Sequence, residues 1–414
     1  MLMTSPNKLI SPAGAIKNLL GETEVLPGEK TSLETAAGRV LAAPILADRD
    51  LPPANRSSMD GYAVKAADLT SVPVELPVLD EIRAGFPASP LFKPGNCVRI
   101  FTGANLPPGA DSVAMVETTK ALARKRVRFL KPVIPYENVM RRGEEARKGR
   151  RLLFPGRILG PVEIGICAMV GMDPVRVFRK PRVGVLATGE ELRRSGDKVT
   201  AYQIRDSNGP ALKTALDNIG LADTIDLGRA TDDLDTIKSQ ITEALASVDI
   251  LLLTGGVSVG DYDFVPEAVA AAGGRILFHG LSMKPGKPTL AAITEDHQLI
   301  LGLPGNPLST LTAFFEIAVP PLRKMAGLSP PWVKTIAVKL ETAVVMRGVG
   351  TRFALARLRP GASDGLYSAT YVPRHSSADI IAAAAADGVL VFPPGRDTFA
   401  SGEIVDFKPW RNLP

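Results

Sequence analysis

The chain has 414 residues, 45% of them hydrophobic and 22% charged, with a formal charge of +6 at pH 7. It is too long for one ordinary core, so two to four globular domains are expected. Its two cysteines, Cys97 and Cys167, point to a reducing compartment and exclude a disulfide scaffold. The three histidines, His279, His297 and His375, are too scattered for a histidine-rich zinc site or a Ser–His–Asp triad. Any catalytic metal is therefore expected to be a hard ion held by oxygen.

The longest apolar run, "IIAAAAA" at Ile380–Ala386, is far too short to cross a bilayer. The opening "MLMTSPNKLI" lacks the charged and apolar regions of a signal peptide, so a cytoplasmic location is expected.

In chain order, residues 8–43 read as helical, with breaks at "LPGEK" and "LAAPI". The Pro/Asn/Ser-rich link "LADRDLPPANRSSMDGYAV" leads into short β-like runs, "VPVELPVLDEI", "NCVRIFTG", "DSVAMVE" and "RVRFLKPV". Strands at this spacing predict a small barrel or sandwich. Arg124, Arg126 and Arg128 alternate, so on a strand they share one exposed side. With "RRGEEARKGRR" they form a solvated face or meet an anionic partner. No interleaved aromatics accompany them, so a small phosphorylated ligand fits as well as a nucleic acid.

"GRILGPVEIGICAMVGM" reads as a helix. The pattern then changes. Val183–Ala187, "LADTIDLG", "VDILLLT", "RILFHG", "TLAAIT" and "QLILGL" read as strands. Helices are predicted at "NGPALKTALDNIG", "DDLDTIKSQITEALAS", "FVPEAVAAAGG" and "NPLSTLTAFFEIAV", the last running into Pro320–Pro321. Alternating strands and helices predict a parallel sheet covered on both faces. From residue 328 on, short β-like runs return and form a separate small β domain.

In an open parallel sheet, ligands gather beyond the carboxyl ends of the strands. "TGEEL", "TGGVSVGDYDF" and "LPGNP" each follow a predicted strand, so all three belong on one rim. Gly255, Gly256 and Gly260 let backbone N–H groups form an anion nest, and Asp261 and Asp263 follow it. An acid beside an anion site makes sense when a divalent cation bridges them. Taken alone, the glycines only turn the chain and Asp263 caps the next helix. Lys284 and Lys287 flank Pro285–Gly286, a rigid turn able to aim two ammonium groups at one oxyanion. Alone, that turn reads as two surface lysines, and Asp232 as an N-cap. Asp60 and Thr102 sit in loops, as do Arg141, Arg142 and Glu145 of "RRGEEARKG".

Together, "NRSSMDGYAV", "FTGANLPPGADSVAMVE", "RRGEEARKG", "ATGEEL", "IRDSN", "TGGVSVGDYDF", "KPGKPT" and "LPGNP" closely resemble the molybdopterin molybdenumtransferase family, which includes bacterial MoeA and the gephyrin E domain. The resemblance runs from about Ser5 to the C-terminus. It implies a multidomain α/β plus β fold. An elongated discontinuous helical domain (1–50 and 145–178) carries an inserted β domain (51–144). A parallel-sheet, molybdopterin-binding α/β domain (179–327) and a C-terminal β-barrel (328–414) follow. It also implies a homodimer whose cleft lies between the α/β domain of one subunit and the first two domains of the other.

The implied reaction starts from adenylylated molybdopterin and molybdate. Mg2+-dependent cleavage of the pyrophosphate link releases AMP, and molybdenum passes to the dithiolene sulfurs. By position, Lys284, Lys287, Pro288, Arg352 and Ser377 resemble the molybdate site, and Glu191 and Asp263 the magnesium and catalytic acids. Asp60, Thr102, Arg142 and Glu145 match substrate-facing positions from the partner subunit. Ser258, Asp206 and Asn208 match the pterin pocket, and Asp232, Gly255, Gly256 and Pro304 belong to the same substrate loops. The chain departs from the family pattern at Glu145, usually Asp, at Arg205, often Tyr, and at Ser376–Ser377, usually Gly-Ser.

Expected partners are small molecules and a second copy, extending to the molybdopterin adenylyltransferase and to molybdoenzymes, with neither nucleic acid nor membrane. Two other readings compete. An adenylyltransferase would need only the α/β domain, and the roughly 180 preceding residues argue against it. A peptide-binding scaffold would have no use for the retained Lys284, Lys287, Asp263 and Asp60.

Overall fold

The structure is a computed structural model that describes residues 9–88, 92–258, 260, 263–361 and 365–411. The chain divides into two compact units. One comprises Met1–Ala42, Pro155–Gly160 and Val175–Pro414; the other comprises Ala43–Phe154 and Pro161–Pro174. No helix of the described residues is long and apolar enough to cross a membrane.

The second unit holds a six-stranded sheet and the helix Pro161–Met169. The long strand Val74–Ile82 organises the sheet. Its first half pairs antiparallel with Arg126–Phe129 and its second half parallel with Cys97–Ile100. Among the described residues no pairing closes the six strands, so the array is open and not the barrel its strand spacing suggested. Arg126 and Arg128 point to solvent and pair with Glu75, Arg128 at 2.6 Å. Arg124 leaves that alternation, because it sits in the preceding turn at φ +58°. Both cysteines are free and buried, and burial pushes the Cys97 thiol up to about 12.

In the first unit, the region expected to be helical is mixed. The helix Pro12–Glu22 starts at Ser11, whose hydroxyl accepts from the Gly14 N–H. Gly28–Thr31 is instead a strand, paired antiparallel with Val175–Phe178. The exposed Glu29 and Lys30 lie mid-strand, a pattern that reads as easily for a helix surface.

The α/β core has six strands: β1 Arg182–Thr188, β2 Asp223–Ala230, β3 Ile250–Thr254, β4 Arg275–His279, β5 Leu290–Ile293 and β6 Leu299–Leu303. Their order is β2-β1-β3-β6-β5-β4. β2, β1, β3 and β6 run parallel, but β5 is antiparallel to both β6 and β4. The sheet is therefore mixed, not parallel throughout. The turn Thr294–Gln298 between β5 and β6 is too short for a crossover helix, which forces the reversal.

Every residue of β3, β5 and β6 is buried, as continuous apolar runs demand. The helix Asn208–Ile219 ends on Gly220 at φ +70°, and Leu234–Leu245 starts on Asp233, whose carboxylate accepts from the Thr236 N–H. The "NPLSTLTAFFEIAV" helix passes through a π-turn at Phe314–Ala318, and Pro320–Pro321 open its continuation, Val319–Met325.

The C-terminal strands Ile336–Leu340, Thr351–Arg359, Tyr367–Tyr371, Gly388–Phe392 and Ile404–Pro409 close into a five-stranded barrel. Phe392 and Phe407 fill it, and the Phe392 and Phe399 rings lie 4.4 Å apart.

Candidate functional site

β1 sends its chain to β2 on one side and β3 lies on the other, so the strand order reverses between β1 and β3. That is where an open α/β sheet leaves a crevice beyond its strand ends. The loops after β1, β3 and β6 meet there. Glu190 N–H donates to Asp232 Oδ2 at 3.1 Å, Asn208 Nδ2 to the Gly305 carbonyl at 2.8 Å, and Gly255 N–H to the Leu303 carbonyl at 3.1 Å.

Gly255 sits at φ +92°, and a Cβ there would lie 2.5 Å from the Thr188 carbonyl oxygen. Only glycine fits both the left-handed backbone and that approach. Gly256 follows at φ +61°, and Pro304 accepts from the Thr310 hydroxyl. Ser258 is exposed at the end of the described part of the loop. Asp261 lies outside the described residues.

Several acids have structural partners. Asp206 Oδ1 accepts from the N–H groups of Asn208 (2.9 Å) and Gly209 (3.1 Å), closing the first turn of their helix. Asp232 braces the loop after β1, and the helix cap is its neighbour Asp233. Asp263 accepts from Gly260 N–H at 2.8 Å, so it closes its own loop and does not cap the next helix. Asp263 is half-buried and Glu191 exposed. No group of three or more His, Cys, Asp or Glu able to hold a metal occurs among the described residues.

β4 runs in the same direction as β6, so the segment after it, Gly280–Thr289, leaves the sheet on the same edge. Ser282 N–H donates to the Ile10 carbonyl at 2.7 Å, and Thr351 N–H to the Ser282 carbonyl at 2.9 Å. Met283 is buried in the core, and Met283–Lys284 pairs in parallel with Thr351–Arg352 at the barrel. Lys284 and Arg352 are thus register partners and lie on one face. They line a cavity of about 200 Å³ with Arg347, Arg374 and Tyr371, several times the ~30 Å³ share of one water. Its lining holds four cationic residues and no carboxylate.

Lys287, Pro288 and Ser377 do not line that cavity. Lys287 is exposed, and its carbonyl accepts from Leu281 N–H at 2.7 Å, which turns its backbone inward. The Ser377 hydroxyl accepts from Asn306 Nδ2 at 2.9 Å, beside the "LPGNP" loop. Sequence reading passed over Arg347, Arg374 and Tyr371. The two arginines lie within five residues of Arg352 and Ser377, a proximity that was available as a signal.

In the second unit, the Thr102 N–H and hydroxyl both donate to Asp60 Oδ1 at 2.8 Å. These two bonds, the N–H first, hold the Asp60 carboxyl below its usual range. Arg142 Nε donates to Asp50 Oδ2 at 2.8 Å, and Glu145 lines a cavity of about 460 Å³ with Ser58, Tyr136 and Glu144.

Comparison with known proteins agrees along the whole chain. Residues 10–171 match the MoeA N-terminal region (domains I and II), 184–324 a probable molybdopterin binding domain, and 338–410 the MoeA C-terminal region (domain IV). A relative named molybdopterin molybdenumtransferase from Staphylococcus aureus is 33% identical over 398 residues, 95% of this chain and 93% of its own. One of the same name from Bacillus subtilis is 35% identical over 394 residues, 93% of this chain and 89% of its own. The crystal structure of a molybdopterin biosynthesis MoeA protein from Pyrococcus horikoshii superposes with a TM-score of 0.83 at 28% identity, covering 98% of this chain and 100% of that one. The chain belongs to the molybdopterin molybdenumtransferase family, a family of transferases.

Proposed function

We propose that this chain inserts molybdenum from molybdate into adenylylated molybdopterin, with Mg2+-dependent release of AMP. The observation that carries the reading is the Lys284–Arg352 cavity, cationic and free of carboxylates, on the sheet edge that also bears the glycine-rich loops. A lysine and an arginine side by side suit a tetrahedral oxoanion such as molybdate. In this reading Lys287, Pro288 and Ser377, which lie outside that lining, contact the oxoanion as it enters. The backbone at Gly255 and Gly256 lets substrate approach closely, and the Gly256 N–H and the Ser258 hydroxyl serve the pterin and pyrophosphate portion, with Asn208 and Pro304 shaping the crevice. Asp206 and Asp232 act through the backbone they hold in place.

Asp263 and Glu191 offer hard oxygen donors on neighbouring rim loops, a set that suits a magnesium ion also held by substrate phosphate. Held by these two acids, Mg2+ would supply charge neutralisation to the pyrophosphate link whose cleavage releases AMP. Asp60, Thr102, Arg142 and Glu145 act on substrate held by a second copy in a homodimer.

The test is direct. Purified protein given adenylylated molybdopterin, molybdate and Mg2+ is expected to release AMP and yield molybdenum cofactor. A Lys284→Ala variant is expected to lose that activity. Equal AMP release by parent and variant, or none by either, rules the reading out. ATP turnover with free molybdopterin would instead identify an adenylyltransferase.

A further inference from the structure

The cavity at Lys284 contains more positive charge than the sequence pattern assigned to it. Arg347 and Arg374 also line it, and Tyr371 adds a hydroxyl. No carboxylate lies in the lining itself, and Asp379, which acts on Arg374, lies outside it. The Arg352 guanidinium has one bond spoken for, from Nη2 to the Arg347 carbonyl at 2.9 Å. Its Nε is buried and has no partner among the described residues. An orphaned buried donor on a charged group is costly unless something accepts from it.

Arg374 points the same way. Burial pushes its guanidinium below the ordinary arginine range. Tyr371 and the Asp379 carboxylate act against that, and the like charge of Arg352 adds to it. Among the described residues its side chain makes a long bond, from Nη1 to the Ser376 carbonyl at 3.3 Å. The like charges of Lys284, Arg352 and Arg374 beside one small space oppose each other, and an anion among them relieves that repulsion.

We propose that Arg374 and Arg347 are direct oxyanion contacts, completing with Lys284 and Arg352 a four-cation cradle selective for tetrahedral dianions over monoanions. The inference rests on the molybdate reading of this cavity and deepens it. Four fixed cations are repaid twice as strongly by a double charge as by a single one of the same shape. Arginine presents planar, multiple donors to an oxoanion, which a lone lysine cannot do.

The experiment is calorimetric titration of the full chain with molybdate at fixed ionic strength, and with perchlorate as a tetrahedral monoanion. Arg374→Gln and Arg347→Gln are each expected to weaken molybdate binding about tenfold or more. Arg359→Gln, on the exposed barrel surface and outside the cavity lining, is expected to leave it within twofold. Perchlorate is expected to bind at least tenfold more weakly than molybdate.

If both arginine variants bind within twofold of the parent while Lys284→Ala loses binding, this inference falls and the molybdate reading stands. If Lys284→Ala binds as well as the parent, or the parent does not bind, both fall. Equal affinity for perchlorate overturns the dianion selectivity. Should a variant misfold, a crystal of the unsubstituted protein soaked in molybdate decides. Molybdenum anomalous density with an oxygen within about 3.2 Å of the Arg374 guanidinium supports the cradle. Density in the cavity out of reach of both Arg374 and Arg347 refutes it.

Discussion

Lys284 and Arg352 stand opposite each other across a parallel strand pairing, although they lie far apart along the chain. Backbone bonds just before the contact, from Ile10 through Ser282 to Thr351, hold the two segments together. Their positive charges therefore meet before any ligand arrives, and the ligand meets little reorganisation. Arg352→Ala is expected to weaken molybdate binding at least about tenfold with the thermal midpoint little changed. Titration calorimetry beside a melting curve checks both, and unchanged affinity would remove Arg352 from the site.

Thr102 lowers the pKa of Asp60. Two hydrogen bonds to one carboxylate oxygen favour the ionised form. Thr102→Val removes the hydroxyl and keeps the N–H, so the Asp60 pKa is expected to rise part of the way toward ~3.9. A carboxyl-detected NMR titration reads this, and an unmoved or lowered value contradicts the assignment.

The loop after β3 depends on a glycine. Gly255→Ala forces a side chain into φ +92° and against the Thr188 carbonyl. A loss of about 1–3 kcal/mol is expected from the backbone strain, with more from the steric displacement. A denaturant midpoint equal to the parent's would show that the loop relaxes freely.

Glu316, 2% exposed, pairs with Lys408 of the barrel strand Ile404–Pro409. Burial raises the Glu316 carboxyl, and Lys408 acts against that. Lys408→Met is expected to destabilise the protein by about 3–5 kcal/mol at neutral pH, because it strands a buried carboxylate. A raised folded-state pKa means the neutral acid is favoured in the folded chain. The loss should therefore be small below the unfolded carboxyl pKa and grow as pH rises through the folded value. The double variant Glu316→Met/Lys408→Met should recover most of the stability. Equilibrium unfolding at pH 5 and pH 8 tests both statements.

Asp249 predicts the opposite pH dependence. Burial opposes its ionisation, yet the forked Arg179 contact, at 2.8 Å to each oxygen, and the Arg182 N–H hold its carboxyl below the usual range. A depressed folded pKa contributes stability above the unfolded value of ~3.9 and loses it as pH falls through the folded one. The stability gap between parent and Asp249→Asn should be full at pH 6 and shrink below pH 4, measured by urea midpoints.

Much of this was legible along the chain. The apolar runs of β3 and β6, the capped helices and the glycine-rich loops carry local signals, because burial and backbone geometry constrain each residue where it stands. The rim followed from them, since parallel strands put their carboxyl ends together. Asp232, Asp206 and Asp263 were harder, because a carboxylate near a turn serves a ligand, a metal or a backbone N–H with the same sequence signature.

Residue order thus specified the strands, helices and glycine turns, through periodicity and allowed backbone angles that act over a few neighbours. It left open the reversal of β5, the closure of the barrel, and the meeting of Arg347, Lys284, Arg352 and Arg374 around one cavity. Those depend on pairings between distant segments, where many registers satisfy the local preferences and packing of the assembled layers selects among them.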